Sequence, residues 1–278
     1  FEEADHIVRL DWRFPRYSST PIETYGAVVN FERNPDRYSI WSNFQGPFIL
    51  HALMSGALGV RGNGLRLITA PNSGGSFGIK QGLYPYLILL AAASRIIGAP
   101  LKWIEDRLEH LTGSSAAADR MDKVEAAFTS AGELTGLRFD NVVDVGAYVR
   151  APEPASVYRM HAASNGCYRV QNIAVENRLV VTNRTPVGLN RGYGGPQFYF
   201  ALERAMDSAA HELGIDIAEI RRINFIGADE FPYHAPAGAT YDSGDYAAGL
   251  DEAIRIADYT GLKAQQEEAR RSGRLFGI

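Results

Sequence analysis

Apolar residues recur at helical spacing in a few long stretches and alternate at strand spacing in several short ones. Val28 to Trp41 reads as two strands around the turn Asn34-Pro35-Asp36. Phe48, His51, Leu53-Met54 and Ala57-Leu58 trace a helix face after Gly46, with Pro47 at its first position and Gly59 as its stop. Leu65 to Ile68 is a short strand, and a buried helix over Leu83 to Ile97 closes at Gly98 and Pro100. Lys123–Thr129 and Leu134–Tyr148 form a hairpin around Ala131-Gly132-Glu133, with bulges at Gly136 and Gly146. Ile173 to Thr182 is a further strand. Phe198, Leu202, Met206, Ala209 and Leu213 face one side of a helix that starts at Pro196 and stops at Gly214. Asp216 with Glu219 resembles a capping box, Asp245 caps a helix over Tyr246 to Tyr259, and a charged helix ends at Gly273.

Strands and helices are mixed without regular β-α-β alternation, which predicts an α+β fold: two-layer modules with mixed β-sheets and helices packed on one face. A seam near Ala118–Asp122 divides a first module, residues 1–120, from a second, residues 121–278. Each module carries one glycine-rich loop that leads toward a long apolar helix.

Composition narrows the function classes. The 278 residues are 46% hydrophobic and 22% charged, ordinary values for a folded domain. A formal net charge of −4 without a basic stripe argues against nucleic acid as a partner. The longest apolar run, Leu83 to Ala93, is short of the roughly 20 residues a membrane span takes. A lone cysteine, Cys167, excludes a disulfide scaffold and an iron–sulfur cluster held by this chain, and suits a cytoplasmic setting. The chain starts Phe1-Glu2-Glu3 without Met, so it is expected to be an excised or processed piece.

The glycines carry the candidate chemistry. Asn72-Ser73-Gly74-Gly75-Ser76-Phe77-Gly78-Ile79-Lys80 can be a plain turn, an anion or cofactor cradle, or the Gly-x-Ser-x-Gly elbow of a serine hydrolase with Ser76 as nucleophile. The spacer Pro71-Asn72-Ser73 counts against the elbow, which needs a strand running straight into the turn. In Asn190-Arg191-Gly192-Tyr193-Gly194-Gly195-Pro196-Gln197, three glycines allow close backbone approach to a ligand, and a helix N-terminus favours anionic or oxo ligands. Trp41-Ser42-Asn43-Phe44-Gln45-Gly46 precedes another helix. The six histidines lack metal-binding spacing. Glu105-Asp106 and Glu267-Glu268 read as solvated charges, and Cys167 as packed rather than reactive.

Taken as an ordered set, these segments resemble the molybdopterin-binding part of the molybdenum hydroxylases, the family of xanthine dehydrogenase, aldehyde oxidase and carbon monoxide dehydrogenase. Pro21 to Val28, Trp103 to Arg107 and Val143 to Tyr148 extend the resemblance over nearly the whole chain. The resemblance implies oxidation of an aldehyde or N-heterocycle with water as oxygen source. It implies a molybdenum–pyranopterin cofactor, with a cytosine dinucleotide as one form it takes. It also implies FAD and [2Fe-2S] groups on partner domains or subunits.

Residue by residue, it points to Gln45 as the side chain that hydrogen-bonds an oxygen ligand of molybdenum. Phe77 and Arg191 approach the same oxygens by backbone, and Gly75, Ser76, Gly78 and Gly192 shape the cofactor cradle. Tyr193 would stack on the substrate, with Gln81 and Arg159 as further substrate contacts. Ser76 stands where the family has a third glycine. Gln81 replaces a glutamate of the purine oxidisers, which disfavours xanthine, and no cysteine precedes Tyr193, which disfavours the copper-containing form. The family's catalytic glutamate is expected beyond Ile278, with Arg274 to Ile278 as the strand leading toward it. A non-catalytic assembly module of a split enzyme is the remaining reading.

Overall fold

The computed structural model describes residues 1–278. After β1 (His6–Phe14) come β2 (Gly26–Glu32), β3 (Arg37–Ser42), α1 (Pro47–Leu58), β4 (Leu65–Thr69), α2 (Tyr84–Ile97), β5 (Leu101–Ile104) and α3 (Arg107–Gly113). The second half holds β6 (Asp119–Phe128), β7 (Leu134–Asp144), α4 (Ala155–Tyr158), β8 (Asn172–Val180), α5 (Gly195–Leu213) and α6 (Ile217–Asn224). A ribbon, β9 (Tyr233–His234) with β10 (Thr240–Tyr241), then leads to α7 (Tyr246–Ala257) and α8 (Tyr259–Arg271).

The strands form two mixed four-stranded sheets, β4-β3-β2-β5 and β1-β6-β7-β8, as an α+β reading requires. Alternation buries Ala27, Val29 and Phe31 of β2 with Tyr38 and Ile40 of β3 under α1 and α2, which contribute Leu50, Met54, Leu87 and Ala91. In the second sheet Val124, Ala126, Leu137 and Phe139 meet Phe198, Ala201, Leu202, Ala205 and Met206 of α5. A small third cluster of Ala118, Val143, Val145, Val157 and Val187 lies under the loops of the second module.

Each sheet contains one parallel pair. β3 runs beside β4 with Ser42 opposite Thr69, and β7 beside β8 with Asp144 opposite Val180. Parallel pairing puts both C-terminal ends of a pair on the same side, so the loops that follow them emerge together.

Several expectations need amendment. β1 pairs antiparallel with β6, His6 opposite Phe128, so the first strand belongs to the second sheet and the 120/121 division does not separate the modules. β6 starts at Asp119, earlier than Lys123, because pairing with β1 extends it. The hairpin bulge falls at Thr135, beside Gly136, whereas Gly146 lies past the end of β7. Pro196 is the second residue of α5, not the first. Asp216 caps the amide of Ala218 alone, while the full capping box is Asp106 with Glu109 on α3. Asp258, in the left-handed conformation, divides α7 from α8. Arg274 to Ile278 forms no strand, since no strand of this chain pairs with it. Glu105 is not solvated: it is 3% exposed and accepts hydrogen bonds from the Tyr25 amide at 3.1 Å and the His110 ring at 2.8 Å.

Candidate active site

Four segments converge, and each follows the C-terminal end of one of the parallel strands. Gln45 and Gly46 follow β3, the first glycine loop follows β4, residues 145–160 follow β7, and the second glycine loop follows β8. Between them lies a cavity of about 540 Å³ lined by Gln45, Gln81, Arg159, Gly192 and Tyr193, with Ile49, Leu53, Pro152, Met160 and Leu189 as its apolar walls. An adjoining cavity of about 360 Å³ shares Gln45, Gly192 and Tyr193 and adds Phe77, Gly78 and Arg191. No carboxylate lines either space.

The carboxamide of Gln45 is oriented from behind. Its Oε1 accepts a hydrogen bond from the Ser76 hydroxyl at 2.5 Å and from the Gly78 amide at 3.0 Å. An amide N–H can bond only the oxygen, so the two N–H donors of Gln45 Nε2 are the free end. The Ser76 hydroxyl in turn accepts the Lys80 amide at 3.2 Å. Ser76 is therefore a positioning group for Gln45. No histidine reaches its hydroxyl, the loop from Ala70 to Ser73 separates it from β4, and the hydrolase alternative loses its nucleophile.

The two glycine loops are clamped together. Gly78 has φ +108°, and a Cβ there would fall 2.8 Å from the carbonyl oxygen of Leu189. Only glycine lets the loops approach this closely. Of two cation–π contacts here, the first crosses the same seam and the second joins the second loop to the segment after α4. The Arg191 guanidinium lies 4.7 Å from the centre of the Phe77 ring, and that of Arg159 lies 5.1 Å from the centre of Tyr193. Phe77 and Tyr193 both adopt positive φ, +56° and +51°. Such backbone costs about 1–3 kcal/mol and clusters where surrounding structure holds it for a purpose.

Free backbone donors flank the adjoining cavity. The Phe77 and Gly192 amides make no hydrogen bond within the chain, whereas the Arg191 amide is taken by Asn190 Oδ1 at 2.8 Å. Asn190 Oδ1 also accepts from Ser19 at 2.5 Å, which fixes the start of the second loop. Neither the role of Asn190 nor the apolar walls is legible in the sequence alone; a short polar residue just ahead of a glycine turn is the one signal for the former. Burial raises the Tyr193 hydroxyl above its ordinary value, with the nearby Glu153 charge acting in the same direction. Gly75 and Ser76 stand behind the cavities rather than in their lining. Cys167 is packed, as expected, and burial pushes its thiol up to about 11.

Residues 1–225 match the model of the molybdopterin cofactor-binding domain. The chain is 31% identical over 281 residues to the nicotine 6-hydroxylase large subunit of Paenarthrobacter nicotinovorans, covering 100% of this chain and 34% of that protein. It is 32% identical over 285 residues to the carbon monoxide dehydrogenase large chain of Hydrogenophaga pseudoflava, covering 100% of this chain and 35% of that one. The crystal structure of quinoline 2-oxidoreductase from Pseudomonas putida 86 superposes with a TM-score of 0.91 at 30% identity, over 98% of this chain and 35% of that chain. The chain thus spans about a third of the length of the relatives it matches.

Proposed function

We propose, from the premise that this chain belongs to the molybdopterin cofactor-binding family of molybdenum-dependent oxidoreductases, that it supplies the oxygen-facing and substrate-facing half of a hydroxylase site. The observation that carries this reading is the convergence of one oriented side-chain amide, two free backbone amides and one aromatic ring on adjoining cavities without a carboxylate. Neutral N–H donors in a low-dielectric pocket favour an oxygen-rich, anionic group, so the residues present fit the cofactor.

Gln45 Nε2 and the Phe77 and Gly192 amides would hold the oxygens of that group, with Gly75, Ser76 and Gly78 shaping the cradle behind them. Arg191 reaches the site through its side chain on Phe77, its own amide being engaged. When bound, the molybdenum–pterin group supplies oxygen transfer to a substrate carbon and accepts the electron pair. The chain's own part is orientation. Tyr193 presents a ring edge and one face to a flat substrate, the other face carrying Arg159. Gln81, 7% exposed, offers a neutral amide where a charged group would select a more basic ring. The apolar walls exclude water and suit an aldehyde or an N-heterocycle of modest polarity.

No carboxylate or imidazole lines either cavity; the general base that activates water is proposed to be the glutamate that the family resemblance implies. FAD and [2Fe-2S] partners, the cytosine dinucleotide form of the cofactor and a cytoplasmic location complete the proposal. No helix is long and apolar enough to cross a membrane.

The test is metal and pterin analysis of the purified full-length complex. About one molybdenum and one pterin per chain is expected, together with no labelling of Ser76 by a fluorophosphonate. Absence of molybdenum with stoichiometric labelling of Ser76 would restore the hydrolase reading.

A further inference from the structure

Behind Tyr193 lies a buried group of charges that the proposed chemistry does not use. Arg120 of β6 is 2% exposed, and its guanidinium stacks 5.0 Å from the centre of the Phe198 ring on α5. The carboxylates whose charges act on it are Asp122, whose oxygen lies 3.9 Å from its Nε, and Glu153. Neither closes a hydrogen bond to it: Arg120 Nε and Nη1, Asp122 Oδ2 and Glu153 Oε1 have no partner. An ion pair that served stability alone would gain by closing, because unpartnered buried charge is costly.

What this group does hold is the wall of the substrate cavity. Glu153, 7% exposed, accepts hydrogen bonds through Oε2 from the Ser156 amide at 3.3 Å and from the Ser156 hydroxyl. That fixes the turn from Ala151 into α4. The turn touches the second glycine loop at two points. The Ser156 carbonyl presses on Gly194, where a Cβ would be 1.8 Å from its oxygen. The Tyr193 hydroxyl donates to the Pro152 carbonyl at 3.4 Å. Arg159, one residue past α4, stacks on Tyr193. Arg120 meets the same surfaces from below, lining a small void with Ser156, Asn190, Gly194 and Gln197.

We propose that Glu153 is a positioning residue for the substrate cavity: through Ser156 it folds the 151–159 wall against Tyr193 and the second glycine loop. This rests on the reading of Tyr193 as a substrate contact. Removing Glu153 should then loosen Tyr193 and weaken substrate holding without altering the groups that face the cofactor oxygens.

The experiment uses the full-length holoenzyme, with quinoline as the flat probe and molybdenum content measured in parallel. Glu153→Ala is expected to raise KM by about tenfold while kcat changes by less than about threefold. Glu153→Gln, which keeps an acceptor for Ser156, should restore KM to within about threefold of wild type. In a Tyr193→Ala background, Glu153→Ala should have no further effect on KM, since coupled residues are non-additive. Amide hydrogen exchange gives a readout independent of turnover: residues 192–195 should exchange faster in Glu153→Ala, while residues 75–78 keep their wild-type rate. If Glu153→Ala does not fold, Ser156→Ala removes the same hydroxyl contact without altering the buried charges and should raise KM by about threefold. Additive KM effects, or unchanged exchange at 192–195, would overturn the assignment. Absence of molybdenum from the wild-type complex would sink the functional reading and leave the exchange measurement to decide the positioning claim.

Discussion

At the scale of single residues the proposed reading divides the site between groups that would face the cofactor and groups that would face the substrate, and kinetics can separate them. Gln45→Glu keeps the size of the side chain but replaces the N–H donors with a second acceptor. A hydrogen bond to a charged partner is worth about 1.5–3 kcal/mol, so kcat should fall by roughly tenfold to a hundredfold for every substrate alike, by the rule that about 1.4 kcal/mol is tenfold. Steady-state kinetics on an aldehyde and a heterocycle would check this; a loss confined to one of them would move Gln45 to the substrate side. Tyr193→Leu acts differently. Stacking is worth about 0.5–1.5 kcal/mol beyond area burial, which gives a threefold to tenfold loss of kcat/KM for flat aromatic substrates, by the same conversion. Small aliphatic aldehydes and metal content should be unaffected. A drop in molybdenum occupancy would place Tyr193 with the cofactor instead. The types of these residues were legible in the chain as written. Their orientation was not: that Ser76 and Gly78 both bond one oxygen of Gln45 depends on two loops that are distant in sequence.

At the scale of elements, long periodic segments were readable and short or non-local ones were not. α1, α2 and α5 announce themselves by apolar spacing with a proline at the start and a glycine at the stop. β5 has four residues, too few to establish a period, and α3 lay hidden although Asp106 and Glu109 spell its capping box. The parallel pairing of β3 with β4 and of β7 with β8 has no local signature at all, yet it brings the four loops to one place. The contact that joins the loops is testable. Gly78→Ala adds a methyl group 2.8 Å from the Leu189 carbonyl at φ +108°. The left-handed backbone alone costs about 1–2 kcal/mol, and forced overlap adds about 1–3 kcal/mol. The variant should unfold at lower denaturant and carry less molybdenum; wild-type metal content and stability would show that the loops tolerate separation.

For the whole molecule, the buried charges give stability a pH dependence. Burial pushes the Asp122 carboxyl up to about 7, against the opposing pull of Arg120, whereas an unfolded aspartate titrates near 3.9. Between those values the folded chain retains a proton that the unfolded chain releases. The contribution of Asp122 is therefore full below about pH 4 and is lost as pH rises to about 7. Asp122→Asn, which stays neutral, should show a higher Tm than wild type at pH 8 and a flatter profile from pH 5 to 8; parallel profiles would remove Asp122 as the source. The pairing of β1 with β6 has a consequence of another kind. Arg13 bonds Asp119, 106 positions further along the chain, and the whole first sheet is strung between them. During synthesis β1 must wait for its β6 partner until β6 leaves the ribosome, while β2 to β5 and their helices can already close. Contacts of such sequence separation form late and slow folding, although the entropy of closing a long loop rises by only about 0.6 kcal/mol per doubling of its length. The first sheet is thus assembled inside a loop that the second one later ties shut, and a nick in the link before β6 would leave two pieces still held together.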